Sequence, residues 1–218
     1  MYLWQANLGR GVSTDEFRRN LRRVLNAGGP RAVFCFQEID EADGPEEMLI
    51  LWALAHRTHV IIGQQTAVPI LVPHHLATGA WKVSPACKGL AKYTPNRVIT
   101  EATVRLGLDL YPRILNTHLP LNRPATFTRR REVRKTLRRR ASARQATGGI
   151  WVADTNTHIG WPRIAKGERS VINAGIDKAK AWAPPGRKVV VTDRRTVQLT
   201  IDGHNAHGAR IMWRPDNA

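Results

Sequence analysis

Apolar residues in this chain come in short runs separated by polar turns, and their spacing switches between strand-like and helix-like. Tyr2 to Asn7 alternates loosely and predicts a strand that stops at the Gly9-Arg10-Gly11 turn. Ser13 and Glu16 have capping-box spacing, and Phe17, Leu21, Val24 and Leu25 lie on one helical face before Gly28-Gly29-Pro30 breaks the pattern. That combination predicts a helix with a defined start and stop. Ala32 to Gln37 is continuously apolar, as in a buried strand, and after an acidic turn a second helix is expected from Pro45 to Arg57.

From Val60 to Val104 the runs shorten and become β-prone: Val60 to Ile62, Ala67 to Val72, Trp81 to Val83 and Val98 to Leu106, broken by Pro and Gly, read as neighbouring antiparallel strands. Arg113 to His118 is another strand, a third helix is expected from Ala125 to Ala146, and Ile150 to Ala153 forms a strand after Gly148-Gly149. The last third predicts a helix near Pro162 to Asn173 and strands at Lys188 to Val191, Thr196 to Ile201 and Ala209 to Trp213. Helices layered outside two packed sheets fit this order better than a doubly wound parallel sheet. The expected class is α+β, and no repeat or low-complexity tract interrupts it.

Length and charge narrow the picture further. The 218 residues, 42% of them apolar, suffice for one sizeable core, so one domain over residues 1–218 is expected. There are 34 Lys plus Arg against 17 Asp plus Glu, a formal charge of +17. A field of that sign concentrates polyanions, which puts nucleic acid first among partners. Cys35 sits in an apolar run and is expected as a buried reduced thiol, so Cys35 and Cys87 make no disulfide framework. The N-terminus has no secretory pattern and the longest apolar run, Met48 to Ala55, is too short to span a bilayer. A soluble, cytoplasmic protein without membrane insertion is expected.

The chemistry-bearing residues sit just after apolar strands, where side chains are held rigidly at the rim of a core. These are Asn7, Gln37-Glu38, Thr117-His118, Asp154-Thr155-Asn156 and His207. Singly, each has an ordinary explanation as a turn residue, a solvated end or a satisfied core group. Together they supply what phosphodiester hydrolysis needs. A hard cation such as Mg²⁺ takes oxygen ligands and keeps most of its waters, so one or two carboxylates suffice, with Glu38 the first choice. A base must activate water and a donor must serve the leaving oxygen, for which His118, His207 and Asp154 are candidates.

The order of these motifs resembles that of the endonuclease/exonuclease/phosphatase superfamily of DNase I-like proteins. The likeness rests on Asn7, Phe36-Gln37-Glu38, Thr117-His118, Ala153-Asp154-Thr155-Asn156, Gly175-Ile176-Asp177 and Asn205-Ala206-His207, spread from Asn7 to about Trp213. It implies a four-layer sandwich of two mostly antiparallel sheets flanked by helices. It also implies a Mg²⁺-dependent (or Mn²⁺-dependent) phosphodiesterase, with Glu38 holding the metal beside Asn7. His118 and His207 would flank the scissile phosphate, Asp154 would activate or orient water, Asn156 and Arg97 would hold phosphate, and Asp177 would support a catalytic histidine. Two positions depart from the pattern. Ala206 stands where the family's Ser-Asp-His has aspartate, with Asp202 a conceivable substitute, and Ala153 replaces a glycine.

The third predicted helix adds a separate argument. Between Arg129 and Arg144 there are nine Lys or Arg against the single Glu132, while Val133, Leu137 and Ala141 keep one stripe apolar. Like charges this dense repel unless a polyanion screens them, so Arg130 and Arg134, with Arg10 and Arg123 extending the patch, are expected to contact nucleic acid. The leading expectation is an endonuclease with little sequence preference, acting on DNA. The alternatives are a phosphatase or phospholipase of the same superfamily, and a degenerate, non-catalytic nucleic-acid binder, for which Ala206 speaks. His56, His59, His74 and His75 lack a zinc spacing, while His158 and His204 lie close to the motifs without being required by them.

Overall fold

The computed structural model describes residues 1–9, 12–39, 46–87, 97–121, 123–143, 145–157, 163–201 and 204–217. Among these residues, twelve strands and three α-helices follow one another as β1 (Tyr2–Asn7), α1 (Thr14–Gly28), β2 (Ala32–Gln37), α2 (Glu46–Ala55), β3 (His59–Ile62), β4 (Ile70–Pro73), β5 (Ala77–Cys87), β6 (Arg97–Val104), β7 (Arg113–His118), α3 (Phe127–Ser142), β8 (Gly149–Asp154), β9 (Arg169–Ala174), β10 (Asp177–Trp182), β11 (Arg187–Gln198) and β12 (Asn205–Pro215).

The first sheet has the order β11-β12-β1-β2-β4-β3 and the second β5-β6-β7-β8-β10-β9. Pairing is antiparallel except at the centre of each sheet, where β1 runs parallel to β2 and β7 parallel to β8. Each parallel pair needs a crossover. α1 supplies the first and α3 the second.

Three apolar layers hold the molecule together. Leu3, Val33, Cys35, Ile114, Ile150, Val152 and Ile211 meet between the sheets. Trp4, Phe34 and Phe36 on the outer face of the first sheet pack against Phe17, Leu21 and Val24 of α1 and Leu51 of α2. Leu115, Trp151 and Trp182 on the outer face of the second sheet receive Val133, Leu137 and Ala141 of α3. The result is the expected four-layer sandwich. No helix among the described residues is long and apolar enough to cross a membrane.

α1 begins and ends where its chemistry dictates: the Ser13 hydroxyl accepts from Glu16 N, and the Gly29 N–H closes on Leu25 O at 2.8 Å with φ +69°. α3 is shorter than expected, because a 3₁₀ turn at Pro124–Thr126 precedes it and another at Gln145–Thr147 follows it. Arg and Lys are good helix formers, so propensity gave no stop signal.

The helix expected near Pro162 to Asn173 is corrected: its described part is a turn followed by β9. The Glu168 carboxylate accepts from Ile164 N, Ala165 N and Trp151 Nε1 at 3.0–3.2 Å, winding the chain around one buried acid. Val171 and Ile172 then enter the inter-sheet core. β10 was not anticipated, since Lys and Ala are weak strand formers, yet Ala179 and Ala181 point into the core while Lys180 of the other parity bonds Glu168. The strands expected at Lys188 and Thr196 are one, β11, with a register shift between Thr192 and Arg195.

Candidate active site

Strand parity assembles the site. Leu3, Val33 and Cys35, Ile114, and Ile150 and Val152 face the space between the sheets. The same alternation delivers Gln5 and Asn7 from β1, Gln37 from β2, Asn116 and His118 from β7, and Asp154 from β8 into that space. The interior therefore turns from apolar to polar at one end, where both parallel pairs terminate: Asn7 stands opposite Gln37, and His118 opposite Asp154. Asp177 joins them because Gly175, at φ +54°, opens a tight turn that starts β10 across from Asp154.

These side chains are at most 3% exposed, so each needs a partner. Asn7 donates to Asp154 Oδ2 at 2.8 Å and accepts from Gly9 N at 2.9 Å. Asp154 Oδ1 receives the Asn156 N–H at 2.8 Å. Gln5 Nε2 bonds both Ala153 O and Asp177 Oδ1 at 2.9 Å, tying β1 to the second sheet. Gln37 Nε2 donates to Asn116 Oδ1 at 2.6 Å, and Asn116 donates to Phe36 O at 2.8 Å, fixing the end of β2 against β7.

At the centre is His118. Its Nε2 lies 3.5 Å from Glu38 Oε1, 3.8 Å from Asp154 Oδ2 and 2.9 Å from the Asn156 amide. Arg97 Nη1 sits 3.2 Å from Nδ1. A guanidinium and an amide nitrogen can only donate, so both ring nitrogens face a donor, Nδ1 that of Arg97 and Nε2 that of Asn156, with the two carboxylates also on the Nε2 side. Burial, then Arg97, then His204 hold the His118 pKa well below its ordinary value, so the ring is neutral.

The acids are tuned the other way. Burial raises the Asp154 pKa, the hydrogen bonds from Asn156 and Asn7 pull it back, and Glu38 pushes it up again. Burial, with Asp154 as neighbour, pushes Asp177 up to about 8. Two residues adopt left-handed backbone, Glu38 at φ 58° and Asn156 at φ 49°. Such conformations in non-glycine residues persist where the surroundings hold them, and they cluster at functional sites.

The structure brings Glu38, His118, Asp154, Asn156, Asn7 and Arg97 together, with Asp177 one strand away. His207 faces the space between the sheets from β12, opposite Gln5. It lines a neighbouring cavity of about 430 Å³ with Asp177, His204 and Asn205, and its Nδ1 meets Thr196 Oγ1 at 3.1 Å. His204 is the histidine whose charge both His118 and Asp154 feel. Its Nδ1 is buried without a hydrogen-bond partner among the described residues. Its signal in the sequence was its closeness to Asn205-Ala206-His207. Ala206 is fully buried under α1 and α2, so strand alternation keeps that position out of the cleft and an aspartate there would not reach the site.

Arg130 is corrected from a surface contact to a buried strut. It is 7% exposed and bonds two backbone carbonyls, while Arg134 is half-buried. Arg10, Asp202 and His158 lie outside the described residues. Among the described residues, no three His, Cys, Asp or Glu form a metal cage. The donors that do converge, Glu38 with Asp154 beside Asn7, are hard oxygens. They fit a hydrated Mg²⁺-type ion held by one or two carboxylates, and a cation there would relieve the repulsion between Glu38 and Asp154.

No family model and no curated protein sequence matches this chain. Solved structures do. Truncated TDP2 of Caenorhabditis elegans is similar over 97% of each chain at TM-score 0.71 and 15% identity. An endonuclease/exonuclease/phosphatase protein of Bacteroides vulgatus is similar over 97% of this chain and 98% of its own, at TM-score 0.72 and 12% identity. A mannosyl-6-phosphatase of Bacteroides thetaiotaomicron is similar over 97% and 99%, at TM-score 0.70 and 10% identity. The fold is that of the endonuclease/exonuclease/phosphatase superfamily, the DNase I-like sandwich.

Proposed function

We propose that this chain, built on the DNase I-like sandwich, is a divalent-metal-dependent phosphodiesterase that hydrolyses the nucleic-acid backbone, with DNA as its leading substrate. The observation that carries the reading is the meeting of Glu38 Oε1 and Asp154 Oδ2 within 3.8 Å of a neutral His118 Nε2. A divalent ion bound at Glu38 would neutralise charge on the non-bridging phosphate oxygens. Asp154, oriented by Asn7 and the Asn156 N–H, takes a proton from the attacking water, and its raised pKa suits a base. His118, held between Arg97 and Asn156, positions the phosphoryl group as the new P–O bond forms. The old P–O bond breaks as the leaving oxygen takes a proton, for which His204 and His207, in the adjoining cavity with Asp177, are the candidates. Asp177 acts on the His204 side of the site.

Charge supports a polyanionic substrate. The formal charge is +17, and Arg131, Lys135, Arg138 and Arg139 lie on the exposed side of α3. Phosphate contacts of this kind bind without reading sequence. Similarity to a mannosyl-6-phosphatase favours a second reading, a phosphatase acting on a small phosphomonoester.

Full-length protein with Mg²⁺ or Mn²⁺ is expected to nick supercoiled plasmid, EDTA to stop it, and Glu38→Gln and Asp154→Asn each to reduce the rate by about a hundredfold or more. Nicking that survives both substitutions would remove the proposed site. Turnover of sugar phosphates with none of plasmid would select the phosphatase.

A further inference from the structure

Beyond the last β7–β8 pair, His118 with Asp154, the two strands separate into loops, and one backbone bond, Leu119 N to Asp154 O at 2.9 Å, joins them there. Arg130, in the first turn of α3, reaches into that fork. Its Nη1 donates to Pro120 O at 2.6 Å and its Nη2 to Thr155 O at 2.9 Å. Pro120 lies two residues past His118, and Thr155 stands between Asp154 and Asn156. One planar group thus spans the loops that carry three residues of the proposed site.

Packing alone does not account for it. Val133, Leu137 and Ala141 are fully buried and already seat α3 on the sheet. A buried cation carries a desolvation penalty that an apolar side chain of similar size would avoid. Burial does lower the Arg130 pKa, and Asp154 partly offsets the effect, which puts the guanidinium within electrostatic reach of that carboxylate. A rigid fork with two donors at fixed spacing fixes the separation of two carbonyls, which a flexible ammonium does not.

We infer that Arg130 is a positioning residue, setting the distance between the His118 loop and the Asp154–Asn156 loop. The inference rests on the phosphodiesterase reading for its kinetic consequence but not for its structural one. The test is Arg130→Lys, which keeps the charge and loses the fork, together with Arg130→Ala in the presence and absence of guanidinium ion. Amide exchange at Leu119, Thr155 and Asn156 is expected to accelerate in Arg130→Lys while exchange within α3 stays as in the wild type. On a small phosphodiester, kcat is expected to fall on the order of tenfold to a hundredfold with KM little changed, the scale of a misplaced reacting group. Guanidinium is expected to restore part of the lost kcat in Arg130→Ala.

Unchanged exchange at those three amides in folded Arg130→Lys overturns the inference whatever the activity. So does a wild-type kcat in that variant. Failure of both variants to fold also overturns it, since Arg130 would then serve stability. A wild type that turns over no phosphodiester rejects the functional reading instead, and the exchange result alone then decides the role of Arg130.

Discussion

The two crossover units, β1–α1–β2 and β7–α3–β8, share one construction and are held by different chemistry. α1 has a hydroxyl cap, acidic residues in its first turn and a fully buried stripe of Phe17, Leu21 and Val24. α3 has no side-chain cap bond at Thr126 and a slimmer stripe of Val133, Leu137 and Ala141. It is pinned instead by guanidinium groups: Arg130 on Pro120 O and Thr155 O, Arg138 on Arg163 O, and Arg140 on Ser84 Oγ near the buried Glu101. Apolar area is non-directional and provides stability, whereas charged hydrogen bonds are directional and provide placement. The unit whose loops must be held apart uses the second.

The largest effect that separates the units is on stability. Phe17→Ala removes the widest side chain of the α1 stripe and is expected to destabilise by about 3–5 kcal/mol, while Leu137→Ala in α3 should fall toward the lower end of about 2–5 kcal/mol. Denaturant unfolding measures both. A greater loss from Leu137→Ala than from Phe17→Ala would mean that α3 is held by packing after all, and the contrast would fail.

A smaller effect arises where the units touch. Gln5 of β1 bonds Ala153 O of β8 and the Asp177 carboxyl of β10. The folded pKa of Asp177 is about 8, against 3.8 for the free group. The folded state therefore keeps a proton that the unfolded state has released, and this contribution to stability is complete below 3.8 and lost as pH rises through about 8. His118 runs the opposite way: its lowered pKa removes stability only as pH falls below its ordinary 6.5. Between pH 6.5 and 8 the Asp177 effect stands clear. Asp177→Asn, which cannot ionise, is expected to gain in Tm relative to wild type across that window and then level off. A Tm difference that stays constant with pH would show that Asp177 is ionised in the folded protein.

The same contrast explains what the sequence revealed. α1 was legible from Ser13 to Gly29 because its cap, stripe and stop are local. The strand ends at Asn7, His118 and Asp154 were legible because parity carries a polar residue to the face its apolar neighbours mark, whereas Glu38 follows the last residue of β2 through left-handed backbone. Arg130 was not, since a buried arginine and a solvated one look alike within a run of arginines, and only the carbonyls of Pro120 and Thr155 distinguish them. β9 and β10 were missed because their pairing depends on Glu168 and Gly175, contacts distant from any periodic signal. The alanine in Asn205-Ala206-His207 has a related explanation: motif likeness ignores alternation, and alternation places Ala206 on the outer face under the helices while His207, opposite Gln5, faces the space between the sheets.

The smallest predicted effect tests the feature the units share. Each second strand leaves through a left-handed residue close to the cleft, Glu38 after β2 and Asn156 after β8. Asparagine tolerates that conformation by local hydrogen bonding, and glutamate does not. The backbone at 38 should therefore be the more strained of the two. Comparing Glu38→Gly with Glu38→Ala isolates the strain, because both delete the carboxylate and only alanine retains a Cβ. The glycine variant is expected to be more stable by about 1 kcal/mol, and both should be inactive. Asn156→Gly, by contrast, loses the amide bond to Leu119 O at 2.7 Å and should be less stable than wild type. Equal melting of the two Glu38 variants would mean that the turn after β2 relaxes freely, and that Glu38 is not held in place by the backbone that carries it.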